Sequence, residues 1–254
     1  MAIKETQYFK GTIYNYHYFE EIDTEEKAYW LGFLIGDGYI VPTKRTVGLT
    51  VSKKDKLHIH KYAKALGLER KDVKEYTANT NFGVFQTCRV LLSNKIMYTS
   101  IVKKGFTNKK TWNTCKVKVQ KNLLRHLLRG IFDADGSIST SKSQGRIRAD
   151  FELSVNEQIA HWFIEQLKKL GFTETIAVRK DRNFWRVRAN SLSAIAQLQE
   201  ILYEDSNISL ERKKKAIEIA VNKLRKQARN SQRLKGSGQL EPKAKCKDLV
   251  RGRD

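Results

Sequence analysis

Two aspartates, Asp37 and Asp135, occupy matching positions in a diverged internal repeat. The first copy reads Trp30-Leu-Gly-Phe-Leu-Ile-Gly-Asp-Gly38, and the second reads Leu128-Arg-Gly-Ile-Phe-Asp-Ala-Asp-Gly136. Each copy has glycine at its third position, a small residue at its seventh, aspartate at its eighth and glycine at its ninth. The copies lie about one hundred residues apart, the length of a small domain.

The carboxylates of this pair are suited to holding a divalent cation. The spacing of apolar residues predicts helices over Glu25–Gly36 and Asn122–Ala134, so each acid lies at the negative end of a helix dipole. Two carboxylates brought close together need a counter-charge or a raised pKa. Hard oxygen ligands suit Mg²⁺ (or Mn²⁺). A single Asp-Gly pair would indicate only a turn, and its repetition favours the metal site.

Small residues recur four positions apart just before each acid, at Gly32 and Gly36 and at Gly130 and Ala134. Glycine inside a helix costs about 1 kcal/mol relative to alanine, so a packing reason is expected. We predict that the two helices cross closely about a pseudo-twofold axis. Asp133 occurs only in the second copy and is interpreted as a solvated or capping carboxylate without a catalytic role.

The segments after the two motifs also match each other. Alternating apolar residues predict strands over residues 47–51 and 147–153, and further strands over residues 82–90 and 184–190. Capping boxes are expected at Ser52-x-x-Asp55 and Ser154-x-x-Glu157. The order helix, strands, helix, strands, helix occurs twice. It predicts an α+β fold of two pseudo-symmetric αββαββα-like halves with antiparallel sheets and a central two-helix interface.

The predicted organisation has four parts. They are an N-terminal lead-in over residues 1–24, a first half over residues 25–118, a second half over residues 119–228, and a basic, disordered tail over residues 229–254.

Composition narrows the partner class. The chain has 254 residues with 49 Lys and Arg against 27 Asp and Glu, a net charge of +22. Such a folded chain favours a polyanionic partner, although a ribosomal-type or merely basic protein has the same charge. Cys88, Cys115 and Cys246 form no Cys-x-x-Cys pair, so reduced thiols are expected. His58 and His60 are interpreted as solvated helix residues. No signal peptide, membrane span or Walker-type phosphate loop is evident.

The two motifs resemble the signature of the LAGLIDADG homing endonucleases. The second copy is close to the family name itself, whereas the first has Ile35 in place of the first acid. The resemblance covers roughly residues 20–225. Two copies in one chain, and the approach from Ile22 to Trp30, are similar to the single-chain, monomeric subclass from bacteria and their phages.

The resemblance implies a site and a reaction. Asp37 and Asp135, with the carbonyl groups of Gly36 and Ala134, would bind the catalytic metal ions. Each acid would serve one DNA strand in two-metal phosphodiester hydrolysis, giving a double-strand break with short 3′ overhangs. The family also uses a basic residue near each scissile phosphate, for which the candidates are Lys110, Lys213 and Lys53; surface lysines are the alternative.

The family fold lays each antiparallel sheet into the major groove of DNA. The residues that could contact DNA are Lys44, Arg45, Lys53, Gln86, Arg89, Arg146, Arg148, Arg179, Lys180, Arg182, Arg186, Arg188 and Asn190. A polar strand face could also be simply solvated. Because these residues differ between the halves, we expect an asymmetric target longer than one helical turn.

Three functions are compatible with these residues. The first is a site-specific DNA endonuclease, the second an intron maturase that binds RNA, and the third a transcription regulator that has lost catalysis. The presence of both acids favours cleavage. The expected partners are double-stranded DNA and, for a maturase, intron RNA, with no membrane. The expected setting is the cytosol of a bacterium or phage-infected cell, or an organelle.

Overall fold

The computed structural model describes residues 14–80, 83–106 and 117–237. The chain folds into two halves that share the predicted order helix, two strands, helix, two strands, helix, and the second half ends in one additional helix. The first half consists of α1 Glu25–Asp37, β1 Gly38–Val41, β2 Thr46–Ser52, α2 Lys56–Ala65, β3 Lys74–Thr80, β4 Gly83–Ser93 and α3 Lys95–Lys103. The second half consists of α4 Lys121–Asp135, β5 Gly136–Ser143, β6 Arg146–Val155, α5 Glu157–Lys169, β7 Ala177–Asp181, β8 Phe184–Ala189, α6 Leu192–Tyr203 and α7 Glu211–Ser237.

Each half contains a four-stranded antiparallel sheet. The strand orders are β1-β2-β4-β3 and β5-β6-β8-β7, so the two sheets have the same topology. The first strand of each sheet begins directly after an aspartate of the repeat, and it forms one edge of its sheet. This order ties the two acids to corresponding edges of the two sheets. The expected α+β fold class is confirmed.

The two motif helices, α1 and α4, pack against each other along their small residues. A Cβ atom at Gly32 would lie 2.0 Å from the carbonyl oxygen of Leu127, and one at Gly130 would lie 2.1 Å from that of Tyr29. Because the two contacts are equivalent under exchange of the halves, the helices cross about a pseudo-twofold axis. Glycine is required because any side chain would collide with the backbone of the opposite helix.

A buried ion pair joins the halves near the N-terminal end of α1. Arg129 of α4 is fully buried, and its Nη2 donates to Oε1 of Glu25 on α1 at 2.6 Å. Its remaining donors reach the carbonyl oxygens of Ile208 and Leu202 at 2.8 and 2.9 Å. Burying a guanidinium is tolerable only when it is paired and hydrogen-bonded in this way.

Both predicted capping boxes are wrong. Asn156, rather than Ser154, caps α5 by accepting from the backbone N–H of Ile159 at 2.9 Å. Ser52 makes no side-chain capping bond, and Asp55 instead accepts two hydrogen bonds from Arg212 of α7. At Asp55, a charged hydrogen-bonded pair with the distant Arg212 takes the place of the predicted local capping bond.

The predicted disordered tail begins too early. Helix α7 continues through Ser237, so residues 229–237 are helical. Gln227 helps to hold the helix against the second sheet, since its side chain accepts from the N–H of Ile147 and donates to its carbonyl oxygen. Residues 238–254 of the predicted tail, with Cys246, lie outside the described residues. Among the described helices, none is long and apolar enough to cross a lipid bilayer.

The expectation of a solvated His58 is wrong. The residue is buried on α2 among Tyr29, Trp30 and Phe33, and its Nε2 lies 2.7 Å from the hydroxyl of Tyr29. Burial lowers the pKa of His58 to about 3, and the positive charge of Lys61 acts in the same direction. His58 is therefore neutral in the folded protein.

We predict that His58 makes the fold acid-sensitive. Below pH 6.5 the unfolded chain protonates this ring and the folded chain does not, so stability falls as the pH drops from about 6.5 towards about 3. At pH 5 the loss from this group is about 2 kcal/mol. Urea unfolding at pH 7 and pH 5 should show a smaller pH effect in His58→Phe than in the wild type. Equal pH effects in the two proteins would refute the assignment.

Candidate active site

The two aspartates of the repeat meet at one end of the central helix pair. A Cβ atom at Gly36 would lie 2.4 Å from Cβ of Ala134 and 2.9 Å from Oδ2 of Asp135. The carboxylate of Asp135 therefore lies against the backbone that carries Asp37. Both carboxylates also act electrostatically on the ammonium of Lys213. The structure thus brings Asp37, Asp135, Gly36 and Ala134 together, as the sequence predicts.

Lys213 stabilises the negative end of α4. Its Nζ donates to the carbonyl oxygens of Phe132, Asp133 and Ala134 at 3.0, 2.6 and 3.1 Å. These contacts engage all three donors of the ammonium group. Its predicted role beside a scissile phosphate stays a prediction.

The electrostatic setting of Lys213 reflects two opposing effects. The side chain is only 4% exposed, and burial lowers its pKa to about 8. The negative charges of Asp133, Asp37 and Asp135 oppose that shift. The ammonium form is therefore retained at neutral pH next to the acids, where it offsets part of their mutual repulsion.

Asp133 is a buried hub rather than the solvated or capping carboxylate that the sequence predicts. It is 1% exposed and accepts from the hydroxyls of Tyr29 and Tyr203 at 2.8 and 2.6 Å. It also accepts from the backbone N–H of Leu210 at 2.6 Å, just before α7 begins. Burial raises the pKa of Asp133, while these hydrogen bonds oppose the rise. The residue fixes α1, α6 and the start of α7 relative to the end of α4.

Removing the Asp133 carboxylate should destabilise the protein strongly. The change Asp133→Ala leaves three buried donors without their acceptor, so we expect a loss of about 3–5 kcal/mol in the free energy of unfolding. Urea unfolding measures it. The matched control is Glu165→Gln, which removes an exposed carboxylate paired with Lys169 and should change stability by less than about 1 kcal/mol. Similar losses in both variants would contradict the hub role.

Arg212 is a residue of this region that sequence reasoning missed. Its Nε and Nη2 donate to the two carboxylate oxygens of Asp55 at 2.7 and 2.8 Å. The paired hydrogen bonds raise the pKa of Arg212, and the charge of Asp37 contributes in the same direction. The start of α7 therefore bonds to the first half through Arg212 and to the second half through Lys213. The only sequence signal for Arg212 was its place in the run of basic residues from which Lys213 was predicted.

The donor groups at the helix ends suit a divalent cation. Two carboxylates and neighbouring backbone carbonyls are hard oxygen ligands, which Mg²⁺ and Mn²⁺ favour. Within the described ranges, no cluster of three or more His, Cys, Asp and Glu side chains could hold a metal. An ion between Asp37 and Asp135 would therefore complete its coordination with carbonyl, water or phosphate oxygens. The residues present fit such an ion.

The outer face of the second sheet carries most of the predicted DNA-binding arginines. Ala149, Phe151 and Leu153 point into the core, so the alternate residues of β6 point outward. The register continues this outer face across β8 and β7. It contains Arg146, Arg148, Arg179, Arg186 and Arg188. Contact of these arginines with DNA stays a prediction.

Lys180 lies on the other face of this sheet. It is paired in register with Trp185, whose ring contacts His161 of α5 on the helix-covered side. Gln86 of the first sheet also lies away from the outer face, because it is on the same side of β4 as the buried residues Cys88 and Val90. Arg89 points to the outer face, where its Nε donates to Oγ1 of Thr50 at 3.1 Å. Lys180 and Gln86 are therefore not placed with the outer-face arginines.

The remaining candidates lie in turns or at strand ends. They are all exposed: Lys44 and Arg45 in the β1–β2 turn, Arg182 in the β7–β8 turn, and Asn190 after β8. Lys53 follows β2 at the end of the sheet nearest Asp37, and its ammonium pairs with Glu75 at 3.2 Å. Lys110, with Cys115, lies outside the described residues.

Comparison with known proteins agrees with this architecture. Residues 122–203, most of the second half, match the sequence model of the LAGLIDADG-like domain. No curated protein matches the chain. Among solved structures, the homing endonuclease I-WcaI bound to its DNA recognition sequence is 14% identical, with a TM-score of 0.53 over 78% of this chain and 90% of that chain.

Two further structures are similar at lower scores. The LAGLIDADG meganuclease I-AabMI bound to uncleaved DNA is 13% identical, with a TM-score of 0.48 over 84% of this chain and 92% of that chain. Full-length DUF199/WhiA from Thermatoga maritima is 13% identical, with a TM-score of 0.48 over 88% of this chain and 72% of that chain. The class of structure follows from the topology and the match to I-WcaI: the chain has the two-domain LAGLIDADG fold.

Proposed function

We propose that the chain is a site-specific, metal-dependent DNA endonuclease that makes a double-strand break in a long asymmetric target. One observation carries the proposal: the crossing of α1 and α4 brings Asp37 and Asp135 to one place. Gly36 packs against Ala134, and Asp135 lies against the backbone beside Asp37. An acid from each half at the axis of a two-fold arrangement suits the two strands of a duplex.

The sheets and their charge support DNA as the substrate. Each sheet begins directly after one of the acids. Its outer face is the side opposite the buried strand residues. A net charge of +22 favours a polyanion through counterion release. I-WcaI, which shares the fold, is described as a homing endonuclease bound to its DNA recognition sequence. A single chain would then bind as a monomer, since it already contains both halves.

In this mechanism the chain provides a positioned, highly charged notch. Asp37 and Asp135, with the carbonyl group of Gly36, would hold the divalent ions. The carbonyl of Ala134 already accepts from Lys213 at 3.1 Å, so it would contribute through its second lone pair. Bound there, such ions would supply Lewis-acid stabilisation of phosphate charge and lower the pKa of water. Lys213 and Asp133 hold the end of α4 in place through hydrogen bonds of 2.6–3.1 Å. The outer faces of the sheets align the duplex across the two acids.

A cleavage selection tests the proposed function. The full chain is incubated with a randomised double-stranded DNA library in Mg²⁺, and the cut ends are sequenced. We expect one long sequence to be cut in both strands, with no products in EDTA or from the double variant Asp37→Asn/Asp135→Asn. Sequence-specific binding without cuts in Mg²⁺ or Mn²⁺ would support a non-cleaving regulator instead. Preference for structured RNA over duplex DNA would support a maturase.

A further inference from the structure

The outer faces of the two sheets differ in chemistry, and this difference bears on the DNA they would read. The second face, formed by β5–β8, combines arginines with carboxylates. Arg188 donates from Nε and Nη2 to Oδ1 of Asp150 at 2.9 and 2.6 Å. Arg186 pairs with Oδ2 of Asp181 at 2.5 Å and with Oε1 of Glu152 at 3.2 Å. All five residues point to the side away from the buried strand residues.

Three carboxylates on this face argue against a surface built only for phosphates. Acidic groups are repelled by a phosphate backbone, whereas they accept hydrogen bonds from the N4 amino group of cytosine. Arginine in turn donates to O6 and N7 of guanine, the commonest specific contact in the major groove. The ion pairs also hold the arginine side chains in place before DNA arrives, which lowers the entropy cost of ordering them. The second face therefore suits G·C pairs.

The first face, formed by β1–β4, has a different character. Phe85 and Tyr76 have large aromatic side chains, yet they are 50% and 43% exposed. Phe85 lies on the same outer side of β4 as Arg89, and the guanidinium of Arg89 lies 4.6 Å from the centre of the Tyr76 ring. Among the described strand residues on this side, none is acidic, since Glu75 is paired with Cys88 on the other side.

The register makes Tyr76 and Phe85 diagonal neighbours on this face, and a cluster of exposed aromatic rings is typical of a binding surface. Threonines line the same face, with Thr87 paired to Tyr76 and Thr50 paired to Arg89. Aromatic rings and threonine methyl groups contact the C5-methyl group of thymine, which only A·T pairs present in the major groove. The first face therefore suits A·T pairs.

We propose that the two sheets read half-sites of opposite base composition: the second sheet reads a half-site rich in G·C, and the first reads one rich in A·T. This inference rests on the proposed function, because it requires sequence-specific binding of duplex DNA. It assigns Arg186, Arg188 and Asp150 to discrimination in one half-site, and Tyr76 and Phe85 to discrimination in the other.

A binding selection tests the inference. The full chain is mixed with randomised duplex DNA in Ca²⁺ without Mg²⁺, and bound sequences are recovered over several rounds. We expect one half of the enriched site to be rich in G·C and the other rich in A·T. Arg188→Ala should reduce a G preference roughly ten- to a hundredfold in the G·C-rich half only. Phe85→Ala should weaken T preferences in the A·T-rich half only.

Control variants lie on the opposite faces of the same sheets. Lys142→Ala removes a charge from β5, and Thr77→Ala shortens a side chain of β3; both positions are paired in register with residues that point away from the outer faces. Both should keep the wild-type base preferences. An enriched site with the same composition in both halves, or variants that act on the wrong half, would overturn this inference and leave the proposed function standing. A pool with no enriched sequence would overturn both.

Discussion

The change Asp37→Asn should convert the protein from one that cuts both strands into one that nicks a single strand. The amide keeps the shape of the side chain but removes a charged ligand from one half of the site. Lewis-acid stabilisation is worth several kcal/mol, and each ~1.4 kcal/mol is a factor of ten in rate. We therefore expect the rate of double-strand cleavage to fall by about 10³-fold. Asp135→Asn should produce the complementary nick.

Supercoiled plasmid carrying the selected target distinguishes these products, since nicked and linear forms separate on a gel and primer extension identifies the cut strand. The matched control is Asp205→Asn, at an exposed turn position with a φ of 52° that asparagine tolerates. It should cut at the wild-type rate. An Asp37→Asn protein that still linearises the plasmid at full speed would remove the basis of the assignment. Equal loss of both cuts in each variant would instead indicate one shared site.

The central features of the fold could be predicted because they depend on local patterns repeated twice. The spacing of Gly32 with Gly36, and of Gly130 with Ala134, is enough to indicate a close helix crossing. Apolar alternation over residues 147–153 also predicted a strand there, and β6 covers all of these residues. In each case one residue type at a fixed interval has a single physical explanation, and the second copy rules out coincidence.

The role of Asp133 could not be predicted in this way. Its partners Tyr29, Leu210 and Tyr203 lie 104, 77 and 70 residues away along the chain, and no local pattern joins them. The capping box at Asp55 failed for the same reason, since Arg212 lies 157 residues away. Buried polar groups are specified by tertiary partners, whereas propensity and periodicity describe only neighbours in sequence.

The sequence predicted the strands that contain Lys180 and Gln86. Assigning these two residues to a face of the sheet required the strand register. Lys180 precedes β8 in a short hairpin, and only its pairing with Trp185 shows that it points towards the helices. A shift of one residue would have exchanged every side chain between the two faces. Sequence alone therefore identified the strands that carry basic residues, while the structure decided which of those residues share a face.

A large effect on stability is also expected from Gly130→Ala. An added Cβ would lie 2.1 Å from the carbonyl oxygen of Tyr29 and 2.8 Å from the backbone nitrogen of Phe33. Both are main-chain atoms of α1, so relief requires the two central helices to separate. Alanine gains about 1 kcal/mol in helix propensity, but overpacking against backbone costs more than that. We expect a net loss of about 3 kcal/mol, or about 6–12 °C in Tm.

Gly145→Ala provides the comparison. Gly145 lies in the β5–β6 turn with a φ of 75°, and beyond its two neighbours in the chain no atom lies within 4 Å of an added Cβ. Its cost is limited to backbone strain of about 1–2 kcal/mol. Calorimetry should therefore rank Gly130→Ala below Gly145→Ala, with Gly32→Ala close to Gly130→Ala because the two glycines are equivalent under the pseudo-twofold axis. If Gly130→Ala proved as stable as the wild type, the helices could not cross as closely as the site requires, and neither acid would be held beside the other.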